Sequence, residues 1–169
     1  MSTPRLFIFA GLPGSGKTTL AQHLAAELKA VHLRIDTIEQ ALRDLCDYRV
    51  EGEGYRLAYR VASDNLRLGL DVIADSCNPI ELTRREWEEV ARKADARYVN
   101  IEVICSDSAE HRRRVEGREG STPNHELPTW GDVVAREYHS WSTPRVLVDT
   151  AGEPPAASYE QLRSQLSAC

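Results

Sequence analysis

"FIFAGLPGSGKTTLA", residues 7–21, is the stretch whose reading decides the rest of the chain. Within it, Gly11 to Thr18 fits G-x-x-x-x-G-K-[ST], a loop pattern whose chemistry is phosphate binding. Phe7, Ile8 and Phe9 form a short apolar run that suits a strand buried on both faces. Gly11, Gly14 and Gly16 allow backbone angles that side chains forbid, so successive N–H groups can turn inward as a nest for phosphate oxygens. Pro13 and Ser15 fill the loop between them. Thr18, Thr19, Leu20 and Ala21 open a helix whose N-terminus favours anions. Lys17 can reach β- and γ-phosphates, and the Thr18 hydroxyl can ligate Mg²⁺. A strand before the loop and an amphipathic helix after it (Leu20, Leu24, Leu28) separate this reading from a glycine-rich turn with an accidental lysine. The expected ligand is a nucleoside triphosphate.

Outward from this stretch, apolar runs and helical patterns alternate. Strands are expected at 6–10, 31–35, 71–75, 98–105 and 145–149. Helices are expected at 17–29, 37–45, 55–70, 82–94, 108–119, 129–141 and 158–166. Leu57, Val61, Leu66 and Leu70 would form the apolar face of the third helix. Thr129 with Asp132, and Ser158 with Gln161, read as helix-start signals. The order predicts an α/β fold: one domain over residues 1–169, with a five-stranded, mostly parallel sheet, helices on both faces and a small lid at about 111–128.

With 169 residues the chain is long enough for one domain with a real core. A formal net charge of −5 argues against a broad electrostatic grip on nucleic acid. No apolar stretch approaches the length of a membrane span, and MSTPRLFIFAG lacks the form of a signal peptide. Cys46, Cys77, Cys105 and Cys169 show no C-x-x-C spacing, so reduced thiols in a cytoplasmic protein are expected. The five histidines have no metal spacing, and Trp87, Trp130 and Trp141 read as packing residues on helices. Lys17, Lys29 and Lys93 are the only lysines among 21 basic residues; arginine suits phosphate recognition, but a base-composition bias accounts for most of the excess, and the arginines that matter are picked by position.

Ligands of parallel sheets bind at the carboxyl ends of strands, which selects Asp36, Asp75, Asp149 and Thr150. Asp36 could cap the helix beginning at Thr37, act as general base toward an acceptor hydroxyl, or do both. Asp75, after Val72 and Ile73, could face Mg²⁺ or serve as a turn residue before Pro79. Ser76 and Asn78 beside it could touch substrate. In "HRRRVEGRE", residues 111–119, Arg114 and Arg118 stand four apart and would share a helix face as a phosphoryl clamp; the alternative is a solvated helix with its arginines paired to Glu116 and Glu119.

"GLPGSGKTTLA", then "RID", then "VIADSCN" with Arg84 and Arg85, then "HRRRVEGRE", resembles the small phosphate-loop kinases. The branch includes chloramphenicol phosphotransferase, gluconate kinase, zeta-toxin-like kinases and polynucleotide 5′-kinase. The resemblance implies ATP and Mg²⁺ as ligands. Lys17 and Thr18 match the phosphate-loop lysine and the metal ligand, and Asp36 matches the residue that activates the acceptor. Arg114 and Arg118 match lid arginines, and the segment from Thr150 to Pro155 matches the loop beside adenine. It further implies nucleotide contacts from Gly11, Pro13, Gly14, Ser15, Gly16, Thr19, Arg114 and Thr150, metal contacts from Thr18 and Asp75, and substrate contacts from Asp36, Asn78 and Arg84. Glu39 departs from the pattern, because some relatives that act on phosphorylated acceptors carry arginine three residues after the aspartate. No N-K-x-D motif for guanine occurs.

Three functional expectations follow. The first is an ATP-dependent kinase acting on a hydroxyl of a small molecule, with catalytic Lys17, Asp36, Arg114 and Arg118. The second is an ATP-binding or ATPase switch that acts on a protein partner. The third is a 5′-hydroxyl nucleic-acid kinase, which the acidic charge disfavours.

Overall fold

Strand β1 (Arg5–Ala10) is the middle of a sheet ordered β2-β3-β1-β4-β5, with β2 at Val31–Arg34, β3 at Val72–Asp75, β4 at Arg97–Ile104 and β5 at Val146–Asp149. All four pairings are parallel, where the sequence suggested mostly parallel. The computed structural model describes residues 3–119 and 127–168, so the expected lid of 111–128 lies partly outside the described residues. The helices are α1 (Lys17–Leu28), α2 (Ile35–Cys46), α3 (Glu53–Arg67), α4 (Glu81–Lys93), α5 (Ser108–Glu116), α6 (Trp130–Ala135) and α7 (Pro155–Ser167).

Alternation along β1 builds both layers of the core. Phe7 and Phe9 point to one face, where Leu20, Leu24, Ile101, Val103, Val148 and Leu162 cover them from α1, the neighbouring strands and α7. Leu6 and Ile8 point to the other, against Ala58, Ala62 and Leu66 of α3 and Trp87 and Ala91 of α4. Trp87 is fully buried and meets the Tyr59 ring edge-on at 4.6 Å.

Several element boundaries differ from expectation. In α3 the buried face is Gly54, Ala58, Ala62 and Leu66, while Leu57, Val61 and Leu70 are 40–44 % exposed. Small residues let α3 approach α2 and the sheet closely; a Cβ on Gly54 would stand 2.3 Å from Cγ of Glu39. Helix α6 ends at Ala135 rather than 141, and Trp141 lies outside any helix. The Thr129–Asp132 capping box is present at its start. The Ser158–Gln161 box is not: Pro155 begins α7, as its fixed φ suits a first helical turn, and Ser158 is buried inside the helix.

Candidate active site

The site begins where β1 turns into α1. Gly11, Gly14 and Gly16 have φ of 145°, 82° and 96°, values that side chains oppose. A Cβ on Gly11 would lie 2.3 Å from the Val103 carbonyl oxygen. Gly16 occupies the N-cap of α1 and no side chain caps that end. The helix start is therefore open to an anion. Ser15 Oγ is buried without a partner among the described residues, and Lys17 is only 7 % exposed. Glycine geometry, an open helix start, an orphaned hydroxyl and a buried lysine together fit the phosphates of a nucleoside triphosphate.

The loop is held from three directions. Gly11 N–H donates to the Cys77 carbonyl (3.0 Å). His111 Nε2, buried on α5, lies 2.8 Å from the Pro13 carbonyl oxygen, with its ring edge-on to Trp130. Thr150 Oγ1, just beyond β5, donates to the Ser15 carbonyl (2.8 Å). Leu12 is engaged within the loop itself, by Ser15 N–H (3.2 Å).

Asp75 ends β3 level with Phe9 of β1 and Arg34 of β2. Thr18 Oγ1 donates to Asp75 Oδ1 (3.2 Å), and His32 Nε2 stands 3.2 Å from Oδ2. Burial opposes ionisation of Asp75, but the His32 hydrogen bond, the Lys17 charge and Thr18 outweigh it and hold the carboxyl below its ordinary pKa. Thr18 and Asp75 thus supply two hard oxygen donors side by side. Among the described residues no three His, Cys, Asp or Glu side chains cluster. A pair of oxygen donors such as Thr18 and Asp75 could hold Mg²⁺, which takes few protein ligands and fills its sphere with water and phosphate.

Asp36 is not a cap. Arg34 holds the N-cap position of α2 in extended conformation, and Asp36 lies within the first turn, where the helix dipole favours a carboxylate. Arg34 sits 3.6 Å from Asp36 Oδ2. Asp36 and Lys17 line one cavity of about 190 Å³ together with Pro13, Glu39, Arg43, Cys77, Arg118, Leu127, Pro128 and Arg136. Burial pushes the Glu39 carboxyl up and Asp36 adds to this, while Arg43 opposes it.

The two expected clamp arginines part company. Gly117 caps α5, so Arg118 lies beyond the helix and shares no face with Arg114. Arg118 lines the Asp36 cavity. Arg114 instead donates to Thr150 Oγ1 (2.7 Å) and the Thr150 carbonyl (2.8 Å), and pairs with Glu110. It lines a second cavity of about 250 Å³ with Gly16, Thr19, Leu20, Thr150, Glu153, Pro155 and Ser158, on the other side of the loop. Asp149 serves its own turn: burial opposes its charge, but the Ser106 and Ala151 N–H groups donate to Oδ1 and hold its pKa down.

Two expected substrate residues are turned inward. Asn78, fully buried at φ 42°, donates from Nδ2 to the Phe9 carbonyl (2.8 Å) and ties β3 to β1. Arg84 is 3 % exposed; it donates to the carbonyls of Asn78, Pro79 and His139 and stacks on Trp141 at 4.0 Å. The Arg84 donors and the Asn78 amide nitrogen are spent on backbone carbonyls, at odds with the expected substrate contact for Arg84, while Asn78 Oδ1 is buried without a partner among the described residues. The sequence reading missed His32, His111, Arg43 and Arg136. His32 was findable only with the strand order, because β2 follows β1 in the chain but pairs with β3.

A family model described as AAA domain matches residues 6–135. A protein named as a probable adenylyl-sulfate kinase of Halalkalibacterium halodurans is 25% identical over 153 residues, covering 86% of this chain and 72% of its own. The APS kinase CysC of Mycobacterium tuberculosis, solved with AMPPNP and APS, superposes with a TM-score of 0.70 at 17% identity, covering 99% of both chains. A gluconokinase from Sinorhizobium meliloti 1021 gives 0.69 at 14% identity, over 99% of this chain and 94% of its own. The chain belongs to the AAA domain family, whose model matches most of its length, and its fold is the one that these kinases share.

Proposed function

We propose that the chain is an ATP-dependent kinase that transfers the γ-phosphoryl group to a hydroxyl of a small molecule. One observation carries this reading: a single cavity is lined both by Lys17 of the phosphate loop and by Asp36 at the start of α2. A carboxylate across a walled space from the phosphate lysine suits an acceptor hydroxyl between them. The acceptor oxygen attacks the γ-phosphorus, the bond to the β–γ bridging oxygen breaks, and ADP leaves. Asp36 accepts the hydroxyl proton. Lys17 and Arg118, both on this cavity, offset charge on the phosphoryl oxygens. Thr18 and Asp75 would hold Mg²⁺, which when bound neutralises charge on the β- and γ-phosphates. The Arg114 cavity, beside Thr150 and Pro155, is the expected seat of adenine. Relatives named as kinases support phosphoryl transfer as the reaction class.

The test uses purified protein, Mg²⁺-ATP and a metabolite extract, read by mass spectrometry for new phosphorylated species. Lys17→Ala is expected to abolish the product. Asp36→Asn is expected to lower turnover by about 10²–10⁴-fold, the range of a general base, with ATP affinity retained. Equal turnover in Asp36→Asn would remove the base from this scheme. ATP hydrolysis without any phosphorylated product would favour the switch.

A further inference from the structure

We propose that the acceptor carries an anionic group, which Arg136 and Arg43 hold while its hydroxyl faces Asp36; this rests on the kinase reading above. Four cations, Lys17, Arg43, Arg118 and Arg136, line the acceptor cavity against two carboxylates, Asp36 and Glu39. Asp36 already has a cationic neighbour outside the lining, Arg34 at 3.6 Å. Glu39 faces Arg43 at 3.5 Å, a loose contact on a half-exposed guanidinium. Lys17 and Arg118 are assigned to the triphosphate. That leaves Arg136, which has no ion pair among the described residues. The acid that acts on it is Asp132, one turn back on α6, and Asp132 is itself occupied in accepting from the N–H and hydroxyl of Thr129.

Among the described residues, a neutral polyol would leave this surplus of lining cations to solvent, onto which Arg43 and Arg136 are exposed. A carboxylate or phosphate monoester answers it, and a guanidinium meets either group with two parallel N–H donors. Arg43 projects from α2, the helix that carries Asp36, whereas Arg136 follows α6. An acceptor spanning them is therefore gripped from two elements and oriented relative to Asp36. The volume, about 190 Å³, lies below the ~300 Å³ at which pockets for drug-sized ligands begin. A space of that size among the described residues suits a small hydroxylated acceptor.

The test compares matched acceptors with Mg²⁺-ATP. Each polyol from glycerol to sorbitol is paired with the hydroxy acid and the phosphate monoester of the same carbon skeleton, such as glycerate and glycerol 3-phosphate, or gluconate and sorbitol 6-phosphate. Phosphorylated product is read by mass spectrometry, and calorimetry with Mg²⁺-AMPPNP present reads acceptor binding separately. At least one anionic member is expected to exceed its polyol ten-fold or more in binding and in kcat/KM, and the better arm identifies carboxylate or phosphate. Arg136→Gln and Arg43→Gln should each raise KM for that acceptor about ten-fold, with kcat within about three-fold and nucleotide affinity unchanged. A polyol that matches its anionic partners overturns the inference and leaves the kinase standing. An anionic acceptor that binds through Arg136 without being phosphorylated upholds the anion site and overturns the kinase. Binding by no anionic member, or binding indifferent to both substitutions, overturns the inference.

Discussion

Arg84 and Arg136 carry the same charge into opposite surroundings. Around Arg84 the carbonyls of Asn78, Pro79 and His139 accept its donors, with Trp141 on its face and Tyr138 at 5.0 Å. Burial pulls its pKa below that of free arginine, with Tyr138 and Glu102 opposing. Burial pushes the hydroxyl of Tyr138 up, to about 12. Arg84→Met should cost about 3 kcal/mol of stability, because it strands buried carbonyls and removes a cation–π contact. Urea denaturation measures this. Unchanged stability with a raised acceptor KM would return Arg84 to the substrate pocket. The phosphate loop was legible residue by residue, since its chemistry is local and its spacing rigid. Arg84 was misread because one of its carbonyl partners lies 55 positions away, and a buried arginine looks like any other arginine in a sequence. Asp36 was legible as a strand-end residue, but its helix starts one residue before it.

Helix α3 illustrates what periodicity hides. Its large residues, Leu57 and Val61, mark a face that is partly solvated, whereas Ala58 and Ala62 are fully buried against the sheet. Hydrophobic size points to one side and close approach demands the other. Ala62→Leu should destabilise by about 1–3 kcal/mol through overpacking, while Leu57→Gln should stay within about 0.5 kcal/mol, as surface changes do. Thermal melts of the two variants check this; a larger loss in the second would restore the expected face. Strand positions were legible to within a residue or so, because buried parallel strands are short unbroken apolar runs. The end of α6 was not. Beyond Ala135 the chain turns to lay Tyr138 and Trp141 on Arg84, a tertiary gain that no local signal announces.

Across the whole molecule, the phosphate loop is a hub. Contacts through Cys77, His111 and Thr150 tie it to the β3 end, α5 and the β5 end. A ligand on the loop should therefore raise the melting temperature of the entire domain. At 100 times its dissociation constant, Mg²⁺-AMPPNP should add about 2.7 kcal/mol, or roughly 5–11 °C for a chain of this size. Differential scanning calorimetry reads the shift, which Lys17→Ala should largely remove; no shift in the unaltered protein would count against a triphosphate site. The sheet that carries the loop has one further property. Its rims, β2 and β5, are four residues each, half the length of β4. A foreign strand docking on either rim would find only a few unpaired N–H and C=O groups, and at β5 it would meet Pro144 just before the strand. Short margins guard this protein against edge-to-edge aggregation, while the longer strands β1 and β4 stay walled in the middle.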